Sequence, residues 1–478
     1  MAMAHCPDEF AARATGSNCE RSDARFLRTT DRGRDAGPSA APVVRKLTLL
    51  RTSGAADGPR VAPAALRMQE ATSHDVSRRN SAQALTAECD VRYRRPMHLA
   101  FSPAEARVRD AIRAFLVDAM PPSSAIAEDG WIGGFSPEFS RRMGAAGWIG
   151  MTWPRAYGGG ERSYVERAIV TEECLRAGAP TAAHWTGDRQ IGPSLLAHGT
   201  EEQKREILPR IVRGELVFCL GMSEPGAGSD LAALKTRAVE DGDAFVVDGQ
   251  KVWTSLASQA DYCYLVARTD PDAPRHHGIS ELLVDMHLPG ITVRPLVDMT
   301  GEHHFNEVFF ENVRVPRRWL IGEKNRGWFQ IASQLDYERA GMERLLSYAP
   351  LFRDLEAHLR ATGRTRDPLV RQALARFHGE LAVGRMFIYR IAWKLSRGIA
   401  PTAETALAKL YGTELEQRLA RFAAEMLGDE SLLTTGGGRL ATRTARALLN
   451  APGLTIRGGT VEILRNIVAQ RGLGLPRE

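Results

Sequence analysis

The chain has 478 residues, 44% hydrophobic and 25% charged, which suits two or three soluble domains or one large multi-layer domain. It holds no run of eighteen apolar residues, so no membrane span is expected. Most of the net charge of +6 lies in residues 1–96, with 16 Lys and Arg against 11 Asp and Glu; the rest of the chain has 47 against 46, which argues against a nucleic-acid-binding face.

Residues 1–96 are rich in Ser, Arg, Gly and Ala without sustained periodicity. They are expected to be disordered or a non-native N-terminal extension, with Met97 an alternative initiator. The opening MAMAHCPDEF has neither the basic nor the apolar region of a secretory signal. The cysteines are Cys6, Cys19, Cys89, Cys174, Cys219 and Cys263, without CxxC or Cys/His spacing. No metal site is expected, and the body cysteines read as reduced, buried and inert, as in a cytoplasmic protein.

From 97 to 214 the pattern is helical. Ser102, Pro103 and Glu105 form a helix start with a capping box, and SPEFSRRMGAAGW, YVERAIVTEECLRAG and EEQKREILPRIVRG follow. From 215 to 322 it alternates as strands do: DYCYLVART, SELLVDM, ITVRPLV and NEVFFENVRVP. Asp248-Gly249 in AFVVDGQKVWTS predicts a hairpin turn. From 323 to 478 long amphipathic stretches predict a helical bundle, the first of them one continuous helix over WFQIASQLDYERAGMERLLSYAPLFRDLEAHL.

Three stretches carry chemistry. MSEPGAGSD, 222–230, follows a strand and brings glycine backbone close to whatever lies above; without GK[ST] it is no phosphate loop. KVWTS, 251–255, read as a strand, puts Trp253 and Ser255 on one face and Val252 and Thr254 on the other. TIRGGTVEILR, 455–465, puts two glycines and Thr460 at a helix start, where backbone N–H groups favour an anion or polarised oxygen.

Together with GWIGMTWPRAYGGG, HGTEEQKREILPRIVRGE, LKTRA and FVVDGQKVWTS, these motifs strongly resemble the acyl-CoA dehydrogenase family across residues 97–478. The resemblance implies a mainly α protein with a central β domain: an N-terminal helical domain, a β-barrel-like middle domain and a C-terminal four-helix bundle. It implies FAD, lined by Leu220, Met222, Ser223, Gly228 and Ser229, with Trp253, Thr254 and Ser255 flanking the ring, and Thr460 also on the cofactor. Ser229, Arg339 and Gly459 would meet the acyl-CoA substrate. The implied partners are an electron-transfer flavoprotein and further subunits, in a homo-oligomer (dimer or tetramer) or a heterotetramer with a second acyl-CoA dehydrogenase chain.

Family chemistry removes the α proton of an acyl-CoA while hydride leaves Cβ for flavin N5. A carboxylate must take the proton, and general-base help is worth about 10²–10⁴-fold. In many members the base precedes the Gly-Thr of the terminal segment; here Gly458 stands there. Isovaleryl-CoA dehydrogenase and some others place it in a segment like LDLER, which LDYER, 335–339, resembles. Glu338 is therefore the expected base, and the Gly458 N–H the expected oxyanion donor. Glu343 and Glu462 are weaker candidates for the base.

Two segments depart from the family. The R..FG segment appears as LRATGRTRDPLVRQ, with Arg364 and Arg366 as candidate replacements. The Q..GG.G segment reads EMLGDESL, with Glu425 and Asp429 in place of the glutamine and second glycine. Both segments serve a neighbouring subunit's FAD in the family, which raises the heteromeric alternative. A flavin monooxygenase or oxidase, or a non-catalytic partner subunit, are the alternative functions.

Overall fold

The computed structural model describes residues 100–121, 131–332 and 341–476. They all lie in one compact unit, residues 97–478.

The first part is helical: α1 (Pro103–Ala119), α2 (Pro137–Ala145), α3 (Tyr164–Ala177), α4 (Ala182–Thr186), α5 (Gly192–His198) and α6 (Glu201–Val212). The capping box at Ser102 forms as the sequence predicts: its hydroxyl accepts from the Glu105 N–H, and Glu105 accepts from the Ser102 N–H at 2.7 Å. Ser163 with Glu166, and Thr200 with Gln203, repeat the device at α3 and α6. Three orphan helix starts are thus satisfied locally, each worth about 1 kcal/mol.

The middle part is a sheet of β1 (Phe218–Gly221), β2 (Arg237–Asp241), β3 (Ala244–Lys251), β4 (Tyr262–Arg268), β5 (Ile279–Asp285), β6 (Ile291–Leu296), β7 (Phe305–Pro316) and β8 (Leu320–Ile321). The order is β6-β7-β3-β2-β4-β5-β8, and β1 runs parallel against β4. The hairpin expected at Asp248-Gly249 is absent. Strand β3 runs through both residues, with a bulge against β7 between Val247 and Gly249. Gly249 sits at φ 152, and a Cβ there would stand 2.5 Å from the Thr236 hydroxyl, so the glycine serves a close approach. The turn between β2 and β3 falls instead at Gly242, at φ 62.

The last part holds α7 (Glu343–Leu346), α8 (Ala349–Ala361), α9 (Pro368–Leu395), α10 (Thr402–Leu427), α11 (Gly438–Leu454) and α12 (Val461–Ile467). The continuous helix expected from WFQ onward is broken: α7 and α8 are separated at Ser347 and Tyr348. Pro350 sits in the first turn of α8, where its missing N–H costs nothing, and so starts a helix rather than extending one.

One apolar core joins the first helices to the sheet, through Ile112, Trp153, Phe218, Phe245, Tyr264 and Val313. A second fills the bundle around Leu345, Leu355, Ile391, Leu415 and Leu454, and takes in Trp131 and Trp185 from the first part. Cys174, Cys219 and Cys263 are free and buried, and burial pushes the Cys174 thiol up to about 12.

Candidate active site

The Gly-rich loop and the Trp253 segment, far apart in sequence, meet at the sheet. Leu220 lies in β1, and Met222 and Ser223 follow the strand. The Val252 N–H donates to the Ser223 carbonyl at 2.9 Å. Beneath them lies Lys251, fully buried at the end of β3; its ammonium donates to the Met222 carbonyl at 3.0 Å and to Glu224 at 2.8 Å. Glu224 also accepts from the N–H groups of Lys235 and Thr236. Burial pushes the Glu224 carboxyl up, but the Lys251 charge and these bonds outweigh it and hold it below the ordinary range. Burial lowers the Lys251 ammonium, against the pull of Glu224. Sequence reasoning missed this brace, since nothing in KVWTS marks its lysine as buried.

The alternation expected for KVWTS stops at Lys251, where β3 ends. Trp253 takes φ 60, so the chain turns and side chains no longer alternate. Asn306 locks the turn: its carbonyl accepts from the Thr254 N–H, and its amide donates back to the Thr254 carbonyl, both at 3.0 Å. In consequence Trp253 is 60% exposed and edge-on to Phe305, while Thr254 is buried and Ser255 half-buried.

The surface fits a flat heterocycle with polar edges. The Thr254 hydroxyl is buried and has no hydrogen-bond partner among the described residues. Gly226 and Gly228 have open space where a Cβ would be, and Ser229 is exposed. An unpaired buried hydroxyl costs about 1–3 kcal/mol, a cost that a ligand accepting or donating there removes.

The terminal turn forms as predicted. Gly458 and Gly459 take φ 71 and 97, a conformation costly for other residues. Thr460 caps α12, accepting from the Ile463 N–H at 3.4 Å. The Gly459 carbonyl accepts from the ammonium of Lys409 on α10 at 2.8 Å. Just before the turn, the Arg457 guanidinium lies 5.4 Å from the Trp131 ring, and the Trp131 N–H donates to the Ser347 hydroxyl at 2.9 Å.

Of the expected acids, Glu338 lies outside the described residues, as does Arg339. Glu343 is buried; burial pushes its carboxyl up, while Arg344, Arg189 and Arg167 oppose the shift. Glu462 is exposed, and bonds from its own N–H and from Thr460 hold it low, so it is a poor proton acceptor. Arg364 and Arg366 bound a short 3₁₀ turn before α9, and the Arg364 guanidinium reaches the Met426 sulfur at 3.9 Å. The two segments that depart from the family pattern are therefore neighbours, with Glu425 and Asp429 exposed beside them.

A cleft opens between the three parts, its lining including Gly133, Glu302, His304, Tyr348, Arg446 and Asn450. His304 stands beside Phe305, its ring 4.2 Å away, and so near the Trp253 wall. Among the described residues no group of His, Cys, Asp or Glu is arranged to hold a metal ion.

Helices, sheet and bundle follow one another in this order, with two apposed loops at the sheet end. Residues 102–215, 219–313 and 325–473 match the N-terminal, middle and C-terminal domains of acyl-CoA dehydrogenase, respectively. The chain belongs to the acyl-CoA dehydrogenase family, oxidoreductases acting on CH–CH donors, whose members use FAD.

Among its relatives is the acyl-CoA dehydrogenase FadE26 of Mycobacterium tuberculosis, 36% identical over 404 residues, covering 80% of this chain and 99% of that one. Among the solved structures similar to this chain are two of the same family. One is the Tcur3481-Tcur3483 steroid ACAD, 35% identical at a TM-score of 0.74, over 80% of this chain and 100% of that one. The other is the ChsE4-ChsE5 complex from Mycobacterium tuberculosis, 36% identical at a TM-score of 0.71, with the same coverage.

Proposed function

We propose that this chain dehydrogenates an acyl-CoA thioester between its α and β carbons with FAD. The observation that carries the reading is the brace that joins Ser223 to the Trp253 turn, beside a Thr254 hydroxyl that is buried and has no partner among the described residues. Leu220, Met222, Ser223, Gly228, Ser229, Trp253, Thr254, Ser255 and Thr460 hold the cofactor in this reading. When bound, FAD supplies the two-electron acceptor for the β hydride. An electron-transfer flavoprotein is the proposed onward acceptor.

Glu338 takes the α proton, because Gly458 offers no side chain to do so. A base near the acyl chain is desolvated, which raises its pKa toward that of its task. The Gly458 N–H donates to the thioester carbonyl, and Ser229, Arg339 and Gly459 hold the substrate. Anaerobic mixing with acyl-CoA thioesters tests the reading: the protein purifies yellow and one class of thioester bleaches it. A yellow protein that no acyl-CoA bleaches would sink it.

Two observations refine this reading. The cleft beside His304 and Tyr348 and the steroid ACAD among the similar structures favour a bulky, ring-bearing acyl group. The eroded segments around Arg364 and Asp429, with the two-chain ChsE4-ChsE5 complex, favour assembly with a second acyl-CoA dehydrogenase chain. A fully FAD-loaded homo-oligomer from the chain purified alone would exclude that assembly.

A further inference from the structure

Helix α10 carries four buried polar residues along one stripe: Thr405, Lys409, Thr413 and Glu416. Their spacing of four, four and three sets them on one helix face, inside a bundle otherwise filled by Leu415, Leu419 and Ala423. Polar groups cost free energy in such a place, and a fully desolvated ammonium costs most, several kcal/mol before compensation. The Thr413 hydroxyl bonds back to the Lys409 carbonyl, and Glu416 accepts from the Tyr348 N–H at 3.1 Å. Lys409 itself reaches out of its helix to the carbonyl of Gly459.

That carbonyl belongs to a weak point in the backbone. Gly458 and Gly459 are consecutive glycines at positive φ, each free to visit either hand at little cost. Two such residues in series permit peptide flips that would turn their N–H groups away from a ligand. The Thr460 cap holds the far side of the turn to α12. On the near side, the buried ammonium bonds the last glycine carbonyl at 2.8 Å, in a low-dielectric site where a charge-assisted bond is strong.

We propose that Lys409 is a positioning residue: it pins the Gly459 carbonyl and thereby holds the diglycine turn in the one shape that presents the Gly458 N–H to the thioester oxygen. This rests on the oxyanion role proposed for Gly458. In this role Lys409 acts through the turn rather than on the substrate or the flavin. The buried charge is retained because an unanchored pair of glycines loses the preorganisation that an oxyanion site requires.

The test compares the purified protein, with any chain that co-purifies, with its Lys409→Met and Lys409→Arg variants. The probe is a conjugated aryl-acryloyl-CoA, whose absorption moves to the red when its thioester carbonyl is polarised. With Met, the red shift falls by more than half and anaerobic flavin reduction slows about 10²-fold, while KM changes far less. Arg keeps the charge and recovers part of both. A Met variant that retains the full red shift and reduces its flavin within twofold of the parent overturns the proposal. Lys409→Gln, too short to reach the carbonyl, carries the same expectations if the Met protein is insoluble. A crystal structure of the Met or Gln protein reads the turn directly. A displaced Gly459 carbonyl supports the anchor, and an unmoved one overturns it, whatever the activity. If the parent protein neither shifts the probe nor is bleached by any thioester, the oxyanion reading fails, and the crystal structure still decides the anchor.

Discussion

The Lys251 ammonium and the Glu224 carboxylate stand 2.8 Å apart, the lysine fully buried and the glutamate nearly so. One belongs to the strand leading into the Trp253 turn, the other to the Gly-rich loop. Their bond, with the one from Lys251 to the Met222 carbonyl, makes the two segments a single wall.

Lys251→Met leaves Glu224 charged and buried with only backbone donors. Removing one partner of a buried pair costs about 3–5 kcal/mol, so the melting temperature should fall by several degrees and FAD should be lost on gel filtration. The double variant with Glu224→Gln should recover part of the stability. Thermal unfolding and the ratio of flavin to protein absorbance check both.

Thr254→Val removes a buried hydroxyl that lacks a partner among the described residues. Flavin-free protein should gain about 1 kcal/mol, since an unsatisfied polar atom disappears without loss of volume. FAD affinity should fall roughly tenfold if the flavin bonds that hydroxyl, a change on the order of one lost hydrogen bond. Apo-protein melting and flavin titration separate the two effects. Unchanged affinity would remove Thr254 from the cofactor site.

Glu281 is buried on β5, accepting from the Gln330 amide at 2.7 Å, and burial pushes its carboxyl up to about 7 against the pull of Tyr264 and Gln330. The folded pKa lies above the ordinary 4.5, so the unfolded chain ionises first as pH rises. Its contribution to stability is greatest below about pH 4.5, falls between there and about 7, and is level above. Glu281→Gln should therefore stabilise the protein at pH 8, by on the order of 3 kcal/mol, and by little at pH 5. Melting curves at the two pH values check the sign.

Glu338→Gln should slow anaerobic flavin bleaching by about 10²–10⁴-fold while leaving acyl-CoA binding within a few fold. Glu343→Gln, on the next acid along the chain, should leave bleaching near the parent rate. The reverse ranking would move the base to Glu343. Stopped-flow absorbance distinguishes them.

Local rules read correctly where the signal is local. The Ser102, Pro103 and Glu105 start needs only neighbouring residues, and the helix forms there. So do the alternating runs that become β4 to β7. The readings that fail depend on distant partners. Asp248-Gly249 has the composition of a turn, yet β7 pairs across it and Thr236 fills the space beside the glycine. WFQ onward has unbroken helical periodicity, yet the chain leaves the helix at Ser347 and Tyr348, where Ser347 meets Trp131 and Tyr348 meets Glu416.

The sequence by itself determined the order of helix, strand and helix, the family, and the residue types at hand for the chemistry: a glycine where a base often stands, and an acid in LDYER. Those are properties of short segments, written in spacing and composition. Only the tertiary structure decided that Lys251 lies under the Gly-rich loop, that the Thr254 hydroxyl has no partner among the described residues, and that Lys409 reaches the Gly459 carbonyl. A lysine has the same symbol in water and in a core; its role depends on which atoms surround it, and distant parts of the chain supply those.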